Sequence, residues 1–166
     1  MLSEYKSKLN RTVVKIFAGE YYIGCDSEII KTTIGGCIAV CIWCANGSYG
    51  GMNHYMLPYK MNRSDYFPES HTLYGINAVR ELVDNLRRVG DQISDYEAAI
   101  IGGSNIDLND RSINNINMAR LLLEEMDIRV IREDTGGNCI RKISFDTYSG
   151  DITIDKIDKT SQLMFV

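Results

Sequence analysis

Proline is almost absent, two residues in 166, and no apolar run approaches the length needed to cross a membrane. No basic stripe exists either: lysines and arginines are scattered, the densest pair is Arg87-Arg88, and the net charge is -4. That balance argues against a nucleic-acid partner. The opening "MLSEYKSKLNR" carries charge but no apolar centre, so no secretory signal is expected. There is no repeat, low-complexity tract or linker. Five cysteines are an odd number, three of them inside one short stretch, which does not suggest a disulfide framework and places the chain in a reducing cytoplasm.

What is present fits one ordinary globular domain. Apolar residues make up 45% and charged residues 24%. The length supports a substantial core but not a comfortable second domain, so residues 1–166 are read as one unit with tails at 1–11 and 156–166. "RTVVKIFAGEYYIG" holds two β-rich pieces separated by Gly19, and "IIKTTIGG" continues in the same manner. Asn46-Gly47 marks a hairpin leading into "MNHYMLP", and a polar loop runs from Tyr59 to Ser70. From Thr72 to Val89 the apolar residues recur every three or four positions, with Gly90 at the C-cap position. "YEAAIIGG" reads as a buried strand. A second helix follows, with Ile113, Ile116, Ala119, Leu122, Leu123 and Met126 on its apolar side, and then the strands "IRVIRE", "CIRKISFD" and "DITID". This order predicts an α/β sandwich: a mixed β-sheet with helices packed on one face.

"TTIGGCIAVCIWC" spaces Cys37, Cys41 and Cys44 as radical enzymes space the ligands of an iron-sulfur cluster. The residues between them are β-branched or aromatic, so the stretch reads as a buried strand. Alternation then puts Cys37 and Cys41 on one face roughly 13 Å apart, with Cys44 on the other. Three thiolates so placed cannot share a metal, and none is expected. A Cys41/Cys44 redox pair would ordinarily sit at a helix start instead.

One of only two histidines lies on the next strand. With Asn46-Gly47 at the centre of the hairpin, Cys37 faces Met56, and His54 lies two positions along on the same face. Approach of the two side chains is expected once a bulge at Gly50-Gly51 adjusts the register. A thiol beside an imidazole can serve as nucleophile and base, and an imidazolium there would lower the thiol pKa. Gly35 and Gly36 permit a turn that leaves backbone N–H groups facing an oxyanion. The plainer reading is a cysteine acting as a small hydrophobe beside a structural histidine. Cys25, Cys41, Cys44 and Cys139 are assigned to packing, and His71 to the solvent-exposed start of a helix.

The segments "IGGCIAVCIW", "GGMNHYMLP", "YGINAVRELV", "AAIIGGSNI" and "EDTGGNCIRKISFDTYSGDITI" resemble, in that order, the chemoreceptor glutamine deamidases of the CheD family. The resemblance runs from about Val13 to Ile154. It implies a fold related to bacterial toxin deamidases, Cys37 as nucleophile, His54 as base, and a threonine orienting the imidazole, with Thr32 the better positional match and Thr33 the fallback. It further implies Gly36 at the oxyanion site and a loop of Gly136, Gly137 and Asn138 beside it. The implied activity is conversion of glutamine side chains on chemoreceptor helices to glutamate, with glutamyl methyl ester hydrolysis as a second reaction and no cofactor. A chemotaxis phosphatase is the implied partner, and the alternative function is a vestigial-site module that regulates that phosphatase. The chain departs from the family at Gly36, where serine is usual, and at Ile140, where glycine is expected.

Overall fold

A computed structural model of the chain describes residues 11–60, 71–90, 95–105 and 110–159. Among them the order is β1 (Val13–Lys15), β2 (Tyr21–Cys25), β3 (Ile29–Ile34), β4 (Ile38–Cys44), β5 (Tyr49–Asn53), α1 (Gly75–Val89), β6 (Tyr96–Gly102), α2 (Arg111–Glu125), β7 (Arg129–Thr135), β8 (Cys139–Asp146) and β9 (Ile152–Asp158). A 3-10 turn, His71–Leu73, precedes α1.

The α/β sandwich is built from two mixed sheets. The five-stranded sheet runs β2-β5-β4-β6-β7 and the four-stranded sheet β1-β3-β8-β9. Strand β4 explains the layering. All seven of its residues are buried, so both of its faces must be covered. Ile38, Val40, Ile42 and Cys44 pack with Val79, Leu82, Leu86 and Leu122 of the helices. Ala39, Cys41 and Trp43 face the other way, against Ile30, Ile143 and Phe145 of the four-stranded sheet. Burying each large aliphatic side chain of this kind contributes roughly 1.5 to 3 kcal/mol, which makes β4 the anchor of both layers.

The hairpin register is the expected one, but the turn is not: Gly47 N–H donates to the Cys44 carbonyl at 2.9 Å, so Ala45 and Asn46 rather than Asn46 and Gly47 are its central residues. Trp43 pairs with Gly50, Ile42 with Gly51, Cys41 with Met52, and an isolated bridge joins Ile38 to Tyr55. The register is therefore the same on either side of Gly50-Gly51, and the expected bulge is not there. The ladder is interrupted instead at Asn53, whose buried Oδ1 accepts the Val40 N–H at 2.9 Å.

Several side chains sit otherwise than the sequence pattern suggests. Ile113 is 59% exposed, while Ser112 and Asn115 on α2 are buried. Both polar residues hold loops: Ser112 Oγ donates to the Ser104 carbonyl at 2.9 Å and Asn115 Nδ2 to the Met56 carbonyl at 2.8 Å. Ile116, Ala119, Leu122 and Leu123 still turn inward, and only in the first turns of α2 do polar side chains that bond to loops take the inner positions. Gly90 occupies the C-cap of α1 but with extended backbone. Its lack of a side chain is needed because a Cβ would run into the buried Tyr49 ring. Cys25, assigned to packing, is exposed at the end of β2. Strand β9 continues to Asp158, into the segment read as a tail. Most of the Tyr59–Ser70 loop lies outside the described residues, as do residues 1–10 and 160–166.

Candidate active site

The candidate residues gather where the two sheets meet at one end of β4. Alternation along β3 turns Thr32 inward, 6% exposed, and leaves Thr33 on the solvent face. His54 follows β5 directly and stays extended: its N–H donates to the Glu20 carbonyl at 3.0 Å, and its own carbonyl accepts from Gly19 at 2.8 Å. These bonds hold the imidazole against β3, with Nδ1 2.9 Å from Thr32 Oγ1. The same hydroxyl is 2.8 Å from the Ile16 carbonyl. A carbonyl only accepts, so the single hydroxyl proton goes to Ile16 and Thr32 accepts from Nδ1–H. That assignment leaves Nε2 unprotonated, the form a general base requires.

Cys37 precedes β4 and lies on the same face as His54, at the diagonal position that the register defines. Among the described residues no hydrogen bond joins its Sγ to the imidazole. Burial pushes the Cys37 thiol up from its ordinary value, an effect partly offset by the positive charge of Arg111. Burial also lowers His54 to about 4, against the opposing charge of Glu20. The resting groups are thus a neutral thiol and a neutral imidazole. This reverses the expectation of an imidazolium that acidifies the cysteine, because the apolar wall between the sheets disfavours both charges.

The turn before Cys37 is held from behind. The Cys37 carbonyl accepts from Gly103 N–H at 2.9 Å and the Gly35 carbonyl from Ser104 N–H at 3.1 Å. Gly102, at φ +117, is where β6 passes so close to the Cys37 carbonyl that a Cβ would collide with it. With its carbonyls engaged, the turn leaves the Gly36 and Cys37 N–H groups without a protein acceptor among the described residues. A Cβ on Gly36 would lie 3.5 Å from the Ser104 carbonyl oxygen, an ordinary contact, so the glycine in place of serine leaves the turn unchanged.

A third loop stacks behind the second. Gly136 N–H donates to the Gly102 carbonyl at 2.9 Å, and Asn105 N–H donates to the Gly137 carbonyl at 2.9 Å. Gly136 and Gly137 both have positive φ, and the Asn138 carbonyl accepts from Lys159 N–H at 3.3 Å. Among the described residues, the hydrogen bonds that link this loop to the turn of Cys37 pass through residues 102–105. Ile140 lies within β8, paired with Ile157, where a β-branched residue continues the strand.

Arg141 is the residue that sequence reasoning missed. Only 2% exposed, it donates to Asp134 at 3.0 Å, to Ser104 Oγ at 2.9 Å and to the Gly136 carbonyl at 2.8 Å. One guanidinium thus ties both glycine loops to the sheet. The "RK" after "GGNCI" carries no spacing signal for this, because the partners come from β6 and β7. The cysteine array separates as alternation requires, Cys41 towards the four-stranded sheet and Cys44 towards the helices. Among the described residues no cluster of three potential metal ligands occurs. His71 is exposed and pairs with Glu81.

A family model described as "CheD chemotactic sensory transduction" matches residues 56–156. The chain belongs to the CheD family. A Shewanella oneidensis CheD relative, "Probable chemoreceptor glutamine deamidase CheD 2", is 36% identical over 82% of this chain and 72% of its own. A Hahella chejuensis relative named "Probable chemoreceptor glutamine deamidase CheD" is 32% identical over 89% of this chain and 71% of its own. One from Sulfurimonas denitrificans with the same name is 30% identical, covering 87% of this chain and 94% of that protein. Among solved structures, a Neisseria meningitidis protein of the DUF152 family is 8% identical with a TM-score of 0.49, covering 82% of this chain and 68% of that one. The CheD family model begins just after His54, so Thr32, Cys37 and His54 rest on their own geometry.

Proposed function

We propose that this chain is a protein-glutamine deamidase of chemoreceptors, with Cys37 as nucleophile, His54 as base and Thr32 as the group that orients it. The observation that carries the mechanism is the Thr32 hydroxyl held between the Ile16 carbonyl and His54 Nδ1, which leaves Nε2 free on the face shared with Cys37. His54 takes the thiol proton as Cys37 attacks the carboxamide carbon of glutamine. The N–H groups of Gly36 and Cys37 hold the oxygen as it becomes negative. Collapse of the adduct breaks the C–N bond, and the proton on His54 leaves with ammonia. Water then attacks the thioester with His54 again accepting a proton, which returns to the thiol as glutamate departs. Carboxamide and water become carboxylate and ammonium, with no electron transfer and no need of a metal or cofactor.

The relatives' printed names support the substrate class. Glutamyl methyl esters fit the same steps, with methanol leaving in place of ammonia. A chemotaxis phosphatase remains the proposed partner and the cytoplasm the proposed compartment; no helix among the described residues is long and apolar enough to cross a membrane. Incubation with chemoreceptor cytoplasmic domains should raise substrate mass by about one dalton per turnover, as NH2 is replaced by OH. A cleaved receptor backbone, or equal ammonia release from free glutamine, would overturn the assignment. No mass shift with any receptor would leave the phosphatase-binding module as the reading.

A further inference from the structure

A cavity of about 500 Å³ is lined by the buried His54 and Thr32 together with solvent-facing residues of the four-stranded sheet. Its wall carries three lysines, Lys15, Lys31 and Lys142, against one carboxylate, Asp155. All three lysines are exposed, and none forms an ion pair among the described residues. Their arrangement follows from the register. Lys15 on β1 is directly opposite Lys31 on β3, a like-charge pair that destabilises a sheet unless something anionic lies across it. Lys142 on β8 is opposite Thr33, diagonal to Lys31. The chain as a whole is acidic, so this patch is a local reversal of sign.

We infer that this basic groove is the docking site for an acidic helical segment of the protein substrate, the one that carries the target glutamine. The inference rests on the deamidase reading for the identity of that segment. Spacing selects a segment over a small anion. Strands lie about 4.8 Å apart and diagonal neighbours about 7 to 8 Å, so the backbones carrying the three lysines span more than about 10 Å, and a segment with several carboxylates can meet all three ammonium groups without drawing them together. Carboxylates one and two turns apart on a helix, about 5.4 and 11 Å, match that spread. Phe17, 67% exposed at the rim of the cavity, offers an apolar contact to the same segment. Cys37 is not on the cavity wall, so the groove holds the flanking residues while the glutamine itself reaches past His54 towards the thiol.

Fluorescence anisotropy tests this on the intact chain with a labelled helical peptide that carries glutamine and glutamates one and two turns away. A second peptide has those glutamates replaced by glutamine. The acidic peptide should bind at least tenfold more tightly at 50 mM salt, and the advantage should shrink at 300 mM, as screening predicts. K15E/K31E/K142E should abolish the preference, and the single Lys31→Gln should reduce it several-fold, with circular dichroism unchanged in both. Equal binding of the two peptides would overturn the inference, as would a preference that survives the triple substitution. Single-stranded DNA binding as tightly through the same lysines would also overturn it, leaving a general polyanion surface. A receptor deamidated by the triple variant with unchanged KM would defeat the groove and leave the deamidase reading intact. Lysine-dependent binding of the acidic peptide without deamidation of any receptor would do the opposite.

Discussion

At the scale of single residues, Thr32 and His54 make the sharpest claims. Thr32→Ala removes the acceptor that selects the tautomer, and activity should fall by about 10 to 100-fold, less than the loss on removing the acid-base group itself. Thr32→Ser restores the hydroxyl and should recover most of it, while Cys37→Ala should abolish the mass shift. His54 also couples the fold to pH. Its pKa is about 4 in the folded chain and 6.5 in the unfolded one, so burial disfavours the proton. Above pH 6.5 neither state is protonated at this position. As pH falls from 6.5 towards 4 the unfolded chain binds the proton first, and stability drops by about 3 kcal/mol across that window. Urea titrations at pH 4.5 and 7 should show this difference, and His54→Gln should remove it. Cys37 makes the matching prediction in the alkaline range: with its thiol pushed above the usual value, alkylation by iodoacetamide should keep rising past pH 9 rather than level off near neutrality.

Among the elements, the glycine loops depend on a group in β8. Arg141→Met would strip the donors from Ser104 Oγ and the Gly136 carbonyl and leave Asp134 in a mostly buried place. Breaking such a buried pair typically costs about 3 to 5 kcal/mol. Lys156, 2.9 Å from Asp134, still neutralises the carboxylate, so the loss should fall at the lower end, about 3 kcal/mol. Denaturant unfolding of the variant measures it. Arg141→Lys should recover little, because an ammonium cannot span three acceptors set around a planar fork. Loss of activity beyond that of stability would show that the loop at residues 102–105 positions the Cys37 turn.

For the whole molecule, β4 joins both layers, so they should unfold together. Trp43, the only tryptophan, is 6% exposed between the two sheets with its ring centroid 6.0 Å from that of Phe145. Its fluorescence reports separation of the sheets, whereas far-ultraviolet circular dichroism follows the helices on the opposite side of β4. The two melting curves should coincide. A fluorescence transition several degrees below the helical one would mean that the four-stranded sheet detaches first and that the core is two units rather than one.

The periodicities were legible because they are local. A period of two along "IAVCIWC" separates Cys41 from Cys44 whatever covers each face, and centring the hairpin on Asn46-Gly47 gives the observed register, so Cys37 and His54 fall on one face from the sequence alone. The spacing of apolar residues likewise marks α1. Long-range partners decided the rest. Thr32 rather than Thr33 meets the imidazole because β3 lies across β8, over one hundred positions away in the chain, and turns alternate residues inward. The protonation of the pair was misjudged because charge depends on burial, and burial comes from packing between two sheets that no local pattern describes. Arg141 and the lysine groove were invisible for the same reason: each exists only where strands distant in sequence lie side by side, and spacing along the chain carries no record of which strands those are.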